Sequence, residues 1–214
     1  MDGISQSSQE FKRYQATVLF CDIRGFTQYF DQVDPAETYL FISSVFKRAS
    51  ALVSCHRGTI SSFSGDGFLA QFGSTAMDGF ASDTAESDAV KCAIGLRHEI
   101  SQINLTRHSD HQFTFLLGIG IHSGIVAGGR MSLGDREFEL VLGDTVNTAS
   151  RIESLCKFFS VDILVSDTVE AAVRDQFQFL SMAPKELRGK SGKHKTFWVL
   201  PTNQPTNPPA LNNL

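Results

Sequence analysis

No apolar run in this 214-residue sequence is long enough to cross a bilayer, and no segment has the pattern of a secretory signal. A membrane-embedded protein is therefore not expected, and a cytoplasmic location is. Basic residues are not in excess: 19 Lys and Arg stand against 23 Asp and Glu, a formal net charge of −4. That balance offers no basic patch for a nucleic-acid backbone. Cysteine is scarce too. Cys21, Cys55, Cys92 and Cys156 are scattered without Cys-x-x-Cys spacing, which fits reduced thiols. Proline is rare until Pro201, where a Pro- and Asn-rich stretch begins, and 201–214 reads as a disordered tail. Residues 1–13 are polar and read as a flexible N-terminus. What remains, 14–200, suits one domain with a full core.

Within that span the periodicity predicts alternating elements. A strand is expected over 14–22. Asp34-Pro35-Ala36-Glu37 is a helix start, with Asp as N-cap, Pro in the first turn and Glu three residues on. Ile42, Val45, Phe46, Ala49, Leu52 and Val53 continue one face of it, and Arg57-Gly58 ends it. Strands over 59–63 and 68–72 flank the turn Gly65-Asp66-Gly67. A second helix is expected over 84–104, then a strand over 113–122, a shorter one over 124–130, a loop over 131–136 and a strand over 138–142. A helix over 144–157, a strand over 161–165, a short helix over 166–174 and strands near 185–188 and 196–200 complete the chain. The opening order β-α-β-β-α-β is the split βαβ of a ferredoxin-like α+β fold. The later elements are C-terminal additions to that core.

In such a fold the first strand lies beside the first hairpin. Asp22 closes the first strand, in Phe20-Cys21-Asp22-Ile23-Arg24-Gly25-Phe26-Thr27, and Asp66 sits in the hairpin turn. Either alone is an ordinary strand-end or turn aspartate. Together they are expected to converge, as Mg²⁺ or Mn²⁺ requires when it also holds a polyphosphate. The segment Arg24-Gly25-Phe26-Thr27 follows at once. Gly25 allows close backbone approach, and successive N–H groups in such a turn cradle an anion. In Gly143-Asp144-Thr145-Val146-Asn147-Thr148-Ala149-Ser150-Arg151, Asn147 and Arg151 share a helix face, four residues apart. Val146, Ala149, Ile152 and Cys156 lie mostly on the other side. A fixed cation there suits charge developing in a phosphoryl transfer, although a solvated helix face has the same pattern.

Three such elements in this order resemble the class III nucleotide cyclases, the adenylate and guanylate cyclase catalytic domains, over roughly 14–200. Phe20 to Thr27 is similar to the family's first metal motif and Phe63 to Gly73 to its second. Leu142 to Arg151 is similar to its transition-state helix, and Leu187-Arg188-Gly189-Lys190 to a late motif whose lysine contacts the triphosphate. The resemblance implies two divalent ions, Mn²⁺ or Mg²⁺, on Asp22, Asp66 and the Ile23 carbonyl. It implies Asn147 on the ribose, Arg151 at the α-phosphate, and Arg136 and Lys190 as phosphate contacts. It also implies a head-to-tail dimer, here a homodimer with two equivalent sites.

The departures from that pattern concern the base. Ser62 stands four residues before Asp66, where adenylate cyclases have Lys and guanylate cyclases Glu. Leu140 stands seven residues before Asn147, where adenylate cyclases have Asp or Thr. A site selects strongly only by pairing the polar edge of the base, and this pair offers one short hydroxyl. Two expectations follow. One is a pyrimidine cyclase of the bacterial anti-phage type, taking UTP in preference to CTP and making a messenger for a separate effector protein. No attached sensor or membrane domain is evident, as in that group. The other is an adenylate cyclase with different base-reading residues. Unlike classes fit worse: the diguanylate cyclase signature is missing, a polymerase palm does not explain the Asn147 and Arg151 helix, and a dead binding module would have lost one of the four catalytic groups.

Overall fold

The computed structural model describes residues 11–26, 30, 33–73, 83–109, 114–133, 136–187, 189–190 and 192–201, with the backbone alone for 108–109, 132–133 and 136–138. Strand β1 (Phe11–Arg24) leads to helix α1 (Pro35–Cys55), the hairpin β2 (Gly58–Ser64) and β3 (Gly67–Gly73), helix α2 (Ala85–Ser109) and β4 (Leu116–Leu133). There follow β5 (Arg136–Leu142), α3 (Asp144–Phe159), β6 (Ile163–Ser166), α4 (Asp167–Val173) and the short strands β7 (Phe179–Ser181), β8 (Lys185–Glu186), β9 (Lys193–His194) and β10 (Thr196–Val199). The main sheet runs β2-β3-β1-β4-β6-β10-β7, with β5 paired to the outer part of β4. Its first four strands are antiparallel neighbours in the ferredoxin-like order. The α+β architecture expected from the element order is thus the observed one.

Helix α1 begins as its sequence requires, with the Asp34 carboxylate accepting from the Ala36 N–H at 2.8 Å and Pro35 in the first turn. Alternation along β1 divides the sheet into two faces. Leu19, Cys21 and Ile23 point to one face, where α1 and α2 bury them with Phe68, Ala70, Phe72, Ile119 and Ile121. Ala16 and Val18 point to the other and pack with Leu69, Val126, Val141 and Ala149 of α3. Asp22, two pleats on from Val18, shares the α3 face.

Helix α3 lies almost on bare backbone. A side chain at Gly120 would overlap the Ala149 carbonyl and the Glu153 N–H, and one at Gly124 would stand 2.7 Å from Thr145 Oγ1. Gly118 is equally tight against Glu153. These three positions share one face of β4, so the strand is kept smooth where the helix crosses it.

Several boundaries differ from expectation. β1 starts at Phe11, inside the stretch read as a flexible terminus, because it pairs with β4 out to Gly129. β4 is one continuous strand, without the break expected at Ser123-Gly124. β1 runs alongside both residues, Thr17 Oγ1 meets Ser123 Oγ at 2.8 Å, and Gly124 is there to admit α3. The loop expected over 131–136 is mostly strand, since β4 and β5 pair up to Leu133 and Arg136. The late strand expected over 185–188 shrinks to β8, which pairs with β9 in a separate two-stranded sheet, and β7 carries no period long enough to read. Residues 1–10 and 202–214 lie outside the described residues.

Gly120→Ala tests the bare strip. The overlapping atoms are helix backbone, which cannot swing aside, so the variant should lose about 1–3 kcal/mol of stability in urea unfolding. An unchanged midpoint would mean that α3 has more freedom over β4 than these contacts allow.

Candidate active site

Register brings the two aspartates together. Asp22 pairs across the ladder with Gly67, the residue after Asp66. Gly65 takes the left-handed backbone (φ +60°) that turns the chain back, which glycine adopts without strain. Gly67 has no side chain to push Asp22 away: a Cβ there would stand 3.1 Å from Asp22 Oδ1. Both carboxylates are half-buried. Burial, then the neighbouring Asp66 charge and the hydrogen bond between the two side chains, raise the Asp22 pKa above the usual aspartate value. Two carboxylates this close form a donor set that a divalent cation would relieve. Among the described residues no three His, Cys, Asp or Glu side chains group as metal ligands, so an ion here would complete its oxygen shell with phosphate and water. Ile23 buries its side chain on the opposite face, so only its backbone is left for the role expected of it here.

The loop beyond β1 is partly as expected. Gly25 has φ +78°, and Phe26 packs on Phe30 with ring centroids 4.4 Å apart. Thr27 lies outside the described residues. Arg24 departs from expectation as a phosphate contact. Its guanidinium turns into the protein, where Nη2 donates to the Val161 carbonyl at 2.6 Å.

The second half of the site is α3. Thr145, Thr148, Ala149, Ile152, Glu153 and Cys156 are buried, which leaves Asn147 exposed and Arg151 half-buried. Thr145 Oγ1 donates to the Ile125 carbonyl at 2.7 Å and fixes the first turn to β4. Lys190 arrives beside this helix, its Nζ 2.6 Å from Asp144 Oδ2. Gly189 (φ +72°) brings the chain within 3.4 Å of Arg151 Nη2, measured from where its Cβ would be. Lys190 and Arg151 are therefore neighbours, and the Lys190 hydrogen bond pulls the Asp144 pKa down. Arg188 is outside the described residues, and so is the side chain of Arg136, whose backbone pairs with Leu133.

Ser62 is exposed on the edge strand β2, next to a bulge between Ile60 and Ser62. Leu140 is an exposed apolar side chain on β5. β5 leans back over the sheet, where Gln71 Nε2 donates to Glu139 Oε1 at 3.3 Å, and it approaches β2. The strands bearing Ser62 and Leu140 thus meet at one edge.

Glu153 escaped the sequence reading. Its signal was there: Ala149, Ile152, Glu153 and Cys156 form the buried stripe of α3, and one of the four is an acid. Burial, then the charges of Asp22 and Asp66 set against that of Arg24, lift its pKa to about 7.

The family model for the adenylate and guanylate cyclase catalytic domain matches residues 9–201. The chain belongs to that family. It is 29% identical to adenylate cyclase 1 of Rhizobium meliloti (strain 1021), over 84% of this chain and 26% of the relative. It is 32% identical to an adenylate cyclase of Anabaena cylindrica, over 72% of this chain and 30% of the relative. This chain therefore matches less than a third of the length of either. Among solved structures, the guanylyl cyclase Cya2 superposes with a TM-score of 0.79 at 26% identity, covering 92% of this chain and 96% of that one. The adenylyl cyclase CyaB from P. aeruginosa has the same fold, with a TM-score of 0.81 at 23% identity, over 91% of this chain and 98% of that one. No described helix is long and apolar enough to cross a membrane.

Asp22→Asn tests the metal half without a catalytic assay. A raised pKa means that the folded state holds the proton more tightly. Stability contributed by Asp22 is then lost as pH rises from its unfolded to its folded pKa, and at neutral pH the ionised group is a burden. In metal-free buffer at pH 7 the variant should unfold no earlier than wild type. Mn²⁺ at a hundredfold excess over its Kd should stabilise wild type by about 2.7 kcal/mol and the variant far less. Equal stabilisation of both would remove Asp22 from the metal site.

Proposed function

We propose that this chain is a nucleotide cyclase domain that works as a head-to-tail homodimer and converts a pyrimidine nucleoside triphosphate, UTP before CTP, to its 3′,5′-cyclic nucleotide. The ribose 3′-oxygen attacks the α-phosphorus, the bond to the β-phosphate oxygen breaks, and pyrophosphate leaves as the hydroxyl proton passes to solvent. Two divalent ions on Asp22, Asp66 and the Ile23 carbonyl would acidify that hydroxyl and hold the triphosphate. Asn147 orients the ribose. Arg151 meets the charge that grows at the α-phosphate, and Lys190 a phosphate oxygen, after exchanging Asp144 for it. Gly25 and Phe26 offer backbone N–H groups to the phosphates, with Thr27 and the Arg136 side chain as further candidates. The product would act on a separate effector in the cytoplasm, and an anti-phage role is the setting we favour.

The observation that supports this reading is that Asp22 and Asp66 lie together at the end of β1, while Arg151 and Lys190 gather at α3. The charges acting most strongly on Asp22 are Asp66 and Arg24, whereas Asp144 feels Lys190 and Arg151. A metal half and an arginine half with different neighbours suit a site completed by a second copy. What supports the pyrimidine is an exposed Ser62 and an exposed apolar Leu140 where purine readers are expected, with Phe63 exposed beside Ser62. A small ring needs less pocket, and such a surface fills space without pairing a purine edge. The second reading, an adenylate cyclase, draws on the two bacterial relatives that bear that name.

Competition among ATP, GTP, CTP and UTP at equal concentration with Mn²⁺ decides the base. Cyclic UMP should dominate, and cyclic AMP as main product would replace this reading by the second. Asp66→Ala and Arg151→Ala homodimers should each be inactive. Mixed, they should recover about a quarter of wild-type activity, since random exchange makes half the dimers mixed and each has one intact site. No recovery despite subunit exchange would put all catalytic groups in one chain.

A further inference from the structure

Glu153 is buried, at 8% exposure, among side chains of α3 that are otherwise small or apolar. A carboxylate there is costly unless something holds it. It rests on Gly118, where any side chain would overlap Glu153 Oε1. The same bare spot faces Arg24, whose Nε is 3.1 Å from where a Gly118 Cβ would stand. That Nε is buried and has no hydrogen-bond partner, while Nη2 of the same guanidinium is held by Val161, just beyond the end of α3. One cation at the tip of β1 is therefore gripped by the exit of α3 and shares the space over Gly118 with a carboxylate from its middle, coupled to it by charge and not by a hydrogen bond.

The positions give this arrangement meaning. Arg24 lies two residues past Asp22, and Glu153 two past Arg151. Gly118, under the carboxylate, is the cross-strand partner of Asp22. We propose that Glu153 is a positioning residue which, through Arg24, braces the strand end bearing Asp22 against the helix bearing Asn147 and Arg151. The inference rests on the head-to-tail reading above, in which Asp22 of one chain serves one site and its Arg151 serves the other. The brace then runs from site to site. Asp22 and Asp66, drawn onto ions at one site, would pull on the helix that completes the second.

The mixed dimer of Asp66→Ala and Arg151→Ala chains tests this, because its one intact site takes metals from the Arg151→Ala chain and its arginine from the Asp66→Ala chain. Glu153→Gln is placed first in one chain and then in the other, and assayed with the triphosphate that wins the competition. Either placement should lower kcat about tenfold while KM changes less, as expected when reacting groups are slightly misplaced. Loss from one placement alone, or from neither, overturns the brace. Failure of the mixed dimer before Glu153 is touched overturns the shared site itself, and the brace with it. In the homodimer, Arg24→Gln, Glu153→Gln and the double variant complete a cycle. The double should be no worse than the worse single, because the two residues act as one unit. Losses that multiply overturn the proposal. Should Glu153→Gln alone unfold over an uncompensated Arg24, the double variant, which removes both charges, replaces it in the mixed dimers.

Discussion

The central constraint is that α3 must lie directly on β4. Gly118, Gly120 and Gly124 clear one face of that strand, and α3 takes the space, with its backbone at Gly120 and the side chains of Glu153 and Thr145 at Gly118 and Gly124. The rest of the site follows from this contact. β4 is the antiparallel partner of β1, so the height at which α3 sits sets its relation to Asp22. With Ala149, Ile152 and Cys156 turned to the sheet, the helix period sends Asn147 outward and leaves Arg151 at its edge. A helix held off by one methyl group would carry the same residues at the wrong depth.

Charge adds a second constraint, at the cost of stability. Asp22 and Asp66 are drawn together by ladder register and turn geometry, and the Asp66 charge disfavours the ionisation of Asp22. Glu153 adds a third carboxylate nearby, with Arg24 as the compensating cation. Such an arrangement is poor for folding alone and good for a dication that arrives with substrate. Strain of this sort is a familiar mark of function. The ion pairs elsewhere are of an ordinary kind: Arg97 meets Asp162 with two hydrogen bonds and also caps the Val199 carbonyl, joining α2 to β6 and β10.

Much of this was legible in the residues. The apolar period of α1 and α2, the capped start at Asp34, and the turn at Gly65-Asp66-Gly67 all specify local structure through short-range rules, and the split βαβ order then puts Asp22 beside Asp66. Less was legible where tertiary contact overrides local preference. Ser123-Gly124 looks like a strand break, and it is a break in propensity, but β1 pairs straight through it. The three residues of β7 have no period to read and exist because β10 offers an edge. Arg24 resembles a phosphate ligand because it opens the turn expected to hold phosphate, whereas its side chain donates to the Val161 carbonyl. The role of Glu153 required knowing that the alternate residues of β4 beneath it are glycines.

Ser62 and Leu140, the residues expected to face the base, lie on β2 and β5. The Gly118, Gly120 and Gly124 strip concerns α3 and β4, whereas the Gly65-Asp66-Gly67 turn closes β2, the strand that carries Ser62. The strands of Ser62 and Leu140 meet where β5 curls back, and that curl is held by Tyr14, Gln71 and Glu139: Tyr14 donates to the buried Gln71 at 2.8 Å, and Gln71 donates to Glu139, next to Leu140. A side chain at Gly128 would overlap the Tyr14 hydroxyl, so the network too is built against bare backbone. The distance from Leu140 to the sheet is therefore set by a polar chain inside the protein rather than by contact with a nucleotide. The support of Leu140 is thus separate from the contact between α3 and β4, and one can change while the other stays intact.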